Sequence, residues 1–200
     1  MVSLTLGEIK SRALKLMDEY SLQGIIQGGG GNLDYQNKFN DLADMAQKEI
    51  SDKVGIYATV QITPSTVPDV VTSNGLNKYL LPPDLKDFRY VRVDDDLVFT
   101  NYRIEDNYFI VSINQNSNFT LHYFRYPTTI DDNTADTYQF EIDVYVQDMI
   151  PYFLAGTVLM SASEDTQLSD KLLNTYYSKL KTVTKREIRY PRGARETVRW

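Results

Sequence analysis

The chain has no cysteine, one histidine and one tryptophan in 200 residues. The first absence removes disulfides, thiolate zinc sites, iron–sulfur clusters and cysteine nucleophiles together. With His122 alone, no site built on two imidazoles is open to it. Carboxylate, lysine, tyrosine and serine chemistry remain, and the composition leans away from an enzyme. Long apolar runs are missing too. No stretch approaches the ~18 to 20 residues that cross a bilayer, and the most apolar region is interrupted by Pro151, Gly156 and Thr157. The first residues, Met1-Val2-Ser3-Leu4-Thr5-Leu6-Gly7-Glu8, lack the cationic head and apolar block of a signal peptide. The expectation is a protein with no membrane association, no metal and no cofactor.

What is present is ordinary globular material: 42% hydrophobic and 24% charged residues. A chain of this length forms one compact domain or two small lobes and buries ~70% of its unfolded surface. Aromatics stand out, with 15 Tyr and 8 Phe. Tyrosine is abundant both at interfaces and in β-rich cores, and composition leaves both readings open.

The net charge of −6 is unevenly spread. Of 21 basic and 27 acidic residues, Lys179 to Trp200 holds eight basic (Lys179, Lys181, Lys185, Arg186, Arg189, Arg192, Arg195, Arg199) and two acidic (Glu187, Glu196), a balance of +6. The other 178 residues hold 13 basic and 25 acidic, or −12. An acidic body with a basic tail points to two surfaces with different partners. The tail suits nucleic acid or an acidic protein surface; the body repels nucleic acid.

Thr5-Leu6-Gly7-Glu8 fits a capping box, and Ile9, Ala13, Leu16 and Tyr20 recur at helical spacing, predicting a helix over 6–20. A second helix is expected over 33–53, with Phe39, Leu42, Ala46 and Ile50 as its stripe, paired antiparallel with the first. At Gly55 the period changes to two: Ile56, Ala58, Val60 and Ile62 alternate with Tyr57, Thr59 and Gln61. Further strands are expected at 79–81, 88–93, 97–103, 107–113 and 118–126, forming an antiparallel meander. A third helix is expected over 137–163, kinked at Pro151, with Ala155 and Gly156 allowing close approach of a neighbour. Leu168, Leu172, Tyr176, Leu180 and Val183 mark a fourth. The fold class read from this order is α+β. A four-helix bundle (1–54 and 137–185) carries a small antiparallel sheet or sandwich (55–130) between helices 2 and 3, and an extended basic arm (186–200) follows.

Candidate sites are few. The run Gly28, Gly29, Gly30, Gly31 is followed by Asn32-Leu33-Asp34 rather than by the lysine a phosphate loop needs, so it reads as a connector that moulds against a neighbouring subunit. Asp94-Asp95-Asp96 and Glu105-Asp106 read as hairpin turns rather than cation sites, and His122 as a structural or surface residue. No nucleophile motif or catalytic constellation is evident. The segment Arg186 to Trp200 is the most informative. Arg186, Arg189, Arg192, Arg195 and Arg199 recur about every three residues, and Pro191 and Gly193 forbid a helix through that stretch. Arg side chains suit bidentate bonds to carboxylate or phosphate, and Tyr190 and Trp200 add aromatic anchors.

Several segments resemble the head-to-tail adaptor (connector or neck) proteins of tailed bacteriophages. Tyr79-Leu80-Leu81-Pro82-Pro83-Asp84-Leu85, followed by Val91, is similar to a tyrosine–leucine–proline–x–aspartate–hydrophobic segment of that family. Tyr123-Phe124-Arg125-Tyr126-Pro127 is similar to its tyrosine–x–arginine–x–proline element. Ile150-Pro151-Tyr152-Phe153-Leu154-Ala155, Glu164-Asp165 and Leu172-Leu173-Asn174-Thr175-Tyr176-Tyr177 continue the likeness, which spans about residues 79–180; the four-glycine loop departs from it. The resemblance implies a non-enzymatic virion protein of the neck, made in the host cytoplasm. It implies a homo-oligomeric ring, typically of twelve subunits, beneath the portal protein. The ring extends the channel through which double-stranded DNA passes without specific binding, and it offers a surface to tail or neck proteins. The position matching the family's portal-docking arm is Arg186 to Trp200. The alternatives are a tail-side completion or stopper protein and, from another class, a nucleic-acid-binding module using the basic arm.

Overall fold

A computed structural model describes residues 3–18, 31–94, 97–112, 117–162 and 165–183. They divide into two compact units: the described residues up to 56 and from 127 onward form one, and residues 57–126 the other.

The first unit is helical. Thr5 and Glu8 close the capping box that the sequence predicts at the start of α1 (Leu6–Asp18). The Thr5 N–H donates to the Glu8 carboxylate at 2.8 Å, and the Glu8 N–H donates to the Thr5 hydroxyl at 3.2 Å. α2 (Gly31–Val54) buries a stripe of Phe39, Ala43, Ala46 and Ile50. A one-turn α3 (Val144–Gln147) is followed by α4 (Ile150–Ala162) and α5 (Thr166–Thr182). Asp165 caps α5 by accepting the Leu168 N–H at 2.9 Å.

The expected pairing of the first two helices is not what forms: α1 and α2 each pack mainly on α4, as does α5. The reason lies in the composition of α4. Ile150, Phe153, Leu154, Ala155, Val158 and Leu159 are buried around its whole circumference, and a helix apolar on every side takes the centre. α5 comes closest at Gly156, whose carbonyl accepts the Ser169 hydroxyl at 2.9 Å. The close approach expected at Gly156 is present.

The expected helix over 137–163 also fails in its first third. Residues 127–143 are largely irregular. Tyr138, Phe140 and Ile142 turn inward with a period of two, which belongs to extended backbone. Two fully buried glutamines hold this segment. Gln147 Nε2 donates to the Ile142 carbonyl at 2.8 Å, and its Oε1 accepts the Leu4 N–H at 2.7 Å. Gln47 donates to the Thr128 carbonyl at 3.2 Å and accepts the Glu141 N–H at 3.2 Å. Asn40 takes the Asp131 carbonyl at 2.7 Å, and Asp44 the Ile130 N–H at 3.0 Å. The side chains thereby satisfy backbone groups that no helix ladder reaches. Pro151 kinks nothing: it is the second residue of α4, where its missing N–H has no intrahelical partner to lose.

The second unit is built from eight strands. β1 (Ile56–Ile62), β8 (Phe119–Arg125), β4 (Leu85–Val93) and β5 (Leu97–Phe99) form one four-stranded sheet in that order. β2 (Val70–Val71), β3 (Leu76–Leu80), β7 (Tyr108–Ser112) and β6 (Arg103–Glu105) form the other. β1 follows its predicted alternation, with Ile56 and Ile62 buried and Tyr57, Thr59 and Gln61 exposed. A shared core of Ile62, Leu81, Val91, Phe109, Val111, Phe119 and Leu121 draws on both sheets. Phe119 bridges Phe99 and Phe109, with ring centroids 5.1 and 5.7 Å away.

The architecture expected from the sequence, a four-helix bundle with a small β insertion, is therefore overturned. The β part is two four-stranded sheets with a core of their own, and the helices gather around a buried α4. It is not a meander either, since β3 pairs with β7 and β4 with β8 across intervening strands. Strands of two and three residues, β2 and β6, are too short to show a period, and they complete the second sheet. No described helix is long and apolar enough to cross a membrane.

Candidate interaction surfaces

The arm residues Arg186, Arg189, Tyr190, Arg192, Arg195, Arg199 and Trp200 lie outside the described residues, as do Gly28, Gly29 and Gly30; Gly31 is the first residue of α2. Asp94 stands at the end of β4 with φ 46°, accepts the Asn118 N–H at 2.9 Å and donates its own N–H to the Asn118 carbonyl at 2.8 Å, which is turn chemistry. Asp95 and Asp96 are not described. Asp106, with φ 50°, sits in the two-residue turn between β6 and β7. Among the described residues no three carboxylate or imidazole groups converge as a metal would require.

Two of the segments that carry the resemblance, 79–85 and 123–127, meet in the β unit. Tyr123 Oη donates to Asp84 Oδ1 at 3.3 Å, and the Tyr126 N–H donates to the Asp84 carbonyl at 2.8 Å. Burial, followed by the charge of Asp84, holds the Tyr123 phenol above its ordinary range. Asp84 thus fastens the end of β8 to the start of β4.

β4 carries a feature that strict alternation hides. Its pairing with β8 slips between Leu85 and Asp87 and again between Phe88 and Tyr90. Leu85, Phe88, Val91 and Val93 go to the core, and Lys86, Arg89, Tyr90 and Arg92 turn away from it. Each cation lies over a ring: Lys86 Nζ is 5.5 Å from the Tyr126 centroid, Arg89 Cζ 5.2 Å from Phe124, and Arg92 Cζ 5.9 Å from Tyr90. His122 is buried there, stacked on Tyr90 at 4.3 Å and hydrogen-bonded through Nδ1 to the Tyr57 hydroxyl. Tyr57 is half exposed as a residue, but its hydroxyl bonds His122 in a partly buried position, and that partial burial, followed by a hydrogen bond with Tyr90, pushes the phenol up to about 12. His122 is a structural member of an aromatic stack.

No protein-family model matches this sequence, and no curated protein matches it.

Function is therefore read from the surfaces themselves. Large apolar side chains are exposed on both units. In the β unit Val67 is 83% exposed, Val71 59% and Leu80 58%, and Tyr126 is half exposed. In the helical unit Met45 and Met160 are each 56% exposed, and Tyr145 and Tyr177 are half exposed. A groove of about 290 Å³ near the end of α5 is lined by Tyr145, Asp148, Lys179 and Val183. In this unit Tyr176 is fully buried and donates to Glu49 Oε2 at 2.8 Å. Burial, reinforced by that carboxylate, raises its phenol far above the ordinary value.

Sequence reasoning missed the cation–ring series on β4 and the exposed valines around β2. The chain gave no signal for the first: cations at 86, 89 and 92, every third residue, would alternate faces in a regular strand, and only the slips in register bring them together.

Proposed function

We propose that this chain is a structural adaptor of a tailed-phage neck, a subunit of a ring under the portal that extends the DNA channel and offers the tail its attachment surface. One observation carries the reading: both units leave large apolar side chains in the open, Met45, Met160, Tyr145 and Tyr177 on one and Val67, Val71 and Leu80 on the other. Large apolar side chains left in the open suit contact with partners, and an adaptor has two assemblies to meet. The charge distribution supports the same reading. A body at −12 repels the phosphates of DNA passing through a lumen, because neutralising contacts are what make such binding strong. The basic segment Arg186 to Trp200 docks on the portal through charge-assisted hydrogen bonds, with Trp200 as anchor.

The test is the native mass of the purified protein with and without its virus's portal ring. A complex with about one copy per portal subunit supports the proposal, and deletion of residues 186–200 then abolishes it. A protein that ignores the portal but binds tail tube is the tail-side stopper instead.

A further inference from the structure

The geometry points to a second copy of this chain as the partner of the edge of β6 that no described strand covers, joined about a twofold axis through Ile104. The inference goes beyond the adaptor reading and does not rest on it.

β6 is the last strand of its sheet and consists of Arg103, Ile104 and Glu105, all exposed. It is tied to β7 by the turn Asp106-Asn107, whose φ values of 50° and 65° are those of a type I′ hairpin. Such a turn closes on a pair that exchanges both backbone hydrogen bonds, here Glu105 with Tyr108. Bonded and non-bonded pairs alternate along an antiparallel ladder. Ile104, opposite Phe109, is then the non-bonded position, and its N–H and C=O point away from β7.

An antiparallel copy laid along this edge with Ile104 opposite Ile104 forms two N–H···O=C bonds across the axis. The same register sets Arg103 against the partner's Glu105 and Glu105 against the partner's Arg103. Both pairs fall in the non-bonded positions, where opposed side chains stand closest. Ile104 lies on the face that registers with the core residue Phe109, so the two isoleucines meet on the apolar side and the charges on the other. Among the described residues neither Arg103 nor Glu105 has an ion-pair partner within its own chain. Like charges along an edge make copies repel. Arg-Ile-Glu does the opposite: read against itself antiparallel, it is self-complementary. The contact closes at two copies, as an isologous contact must.

The experiment is light scattering and sedimentation of the full chain, without portal, over a concentration series. Expected is a mass rising from 23.0 kDa toward twice that value. Arg103→Glu sets Glu against Glu twice, Glu105→Arg sets Arg against Arg twice, and each weakens the dimer about tenfold or more. An equimolar mixture of the two variants regains it as a heterodimer, which also shows that both are folded. The charge-swapped double variant dimerises like the parent. A parent that stays monomeric throughout overturns the inference, and so does a dimer indifferent to both reversals. A larger ring unaffected by the reversals overturns it while leaving the adaptor reading standing.

Discussion

Leu173 Cγ lies 2.8 Å from the point where a β-carbon on Gly156 would stand, and the Leu173 backbone nitrogen 3.2 Å from it. The crowding therefore reaches the backbone of α5 and is not relieved by turning one side chain. Alanine in a helix interior gains about 1 kcal/mol over glycine, while overpacking a tight contact costs about 1–3 kcal/mol. Gly156→Ala is expected to destabilise the protein by about 1 kcal/mol, a fall in melting temperature of about 2–4 °C. Thermal melting followed by circular dichroism decides it; an unchanged or higher midpoint sinks the account.

Gln147, fully buried, bonds three backbone groups and the Ser3 hydroxyl. Replacing it by leucine fills similar space but strands the Leu4 N–H and the Phe140 and Ile142 carbonyls. Gln147→Leu is expected to cost about 2–4 kcal/mol, seen in urea as a lower midpoint with an unchanged slope. A loss below 1 kcal/mol would show that these groups find other partners.

Tyrosine ionisation should be graded. The folded-state phenol of Tyr57 is raised to about 12 from 10.0, and Tyr102, Tyr123 and Tyr176 are also raised. Between those values the unfolded chain is ionised while the folded chain still holds its protons. Stability from these groups is complete below pH 10 and drains away as pH climbs toward 12. Absorbance at 295 nm should show a late fraction of tyrosine ionisation that coincides with unfolding. Tyr57→Phe should flatten the alkaline fall of the urea midpoint. Ionisation of all tyrosines in one early step, with the fold intact, would contradict this.

The two helix caps give smaller effects. Thr5→Ala removes one arm of the box at α1, and Asp165→Ala the acceptor for Leu168 N–H at α5. Each should cost about 1 kcal/mol. Native-state hydrogen exchange should show faster opening of the first turn of the helix concerned and no change in the β unit.

The cap of α1 was legible because capping chemistry is local: Thr5 with Glu8 needed no tertiary information. The alternation of β1 and the stripes of α2 and α5 were legible for the same reason. Residues 137–143 were not, because Ile142 fits a helical stripe with Val146 and Met149 as well as it fits the extended Tyr138-Phe140-Ile142 series. Only the distant Gln47, together with Gln147, selects between the two. The central position of α4 is a matter of which apolar helix is apolar all round, and pairing by chain order pointed elsewhere. The surface features divided similarly: Asp94 and Asp106 were readable as turns, whereas the outward cations of β4 depend on slips in register that its sequence does not announce.

The helical unit is assembled from both ends of the chain, and this sets an order of events during synthesis. α1 and α2 leave the ribosome roughly 100 residues before α4, the helix they pack against, and at about 5–20 residues per second the wait lasts on the order of 5–20 s. The β unit, continuous over residues 57–126, can close during that interval. Through it the stripe Phe39, Ala43, Ala46 and Ile50 has no α4 to cover it. That is the window in which a nascent chain attracts chaperones, or another nascent chain, and it shuts when Leu154 and its neighbours emerge.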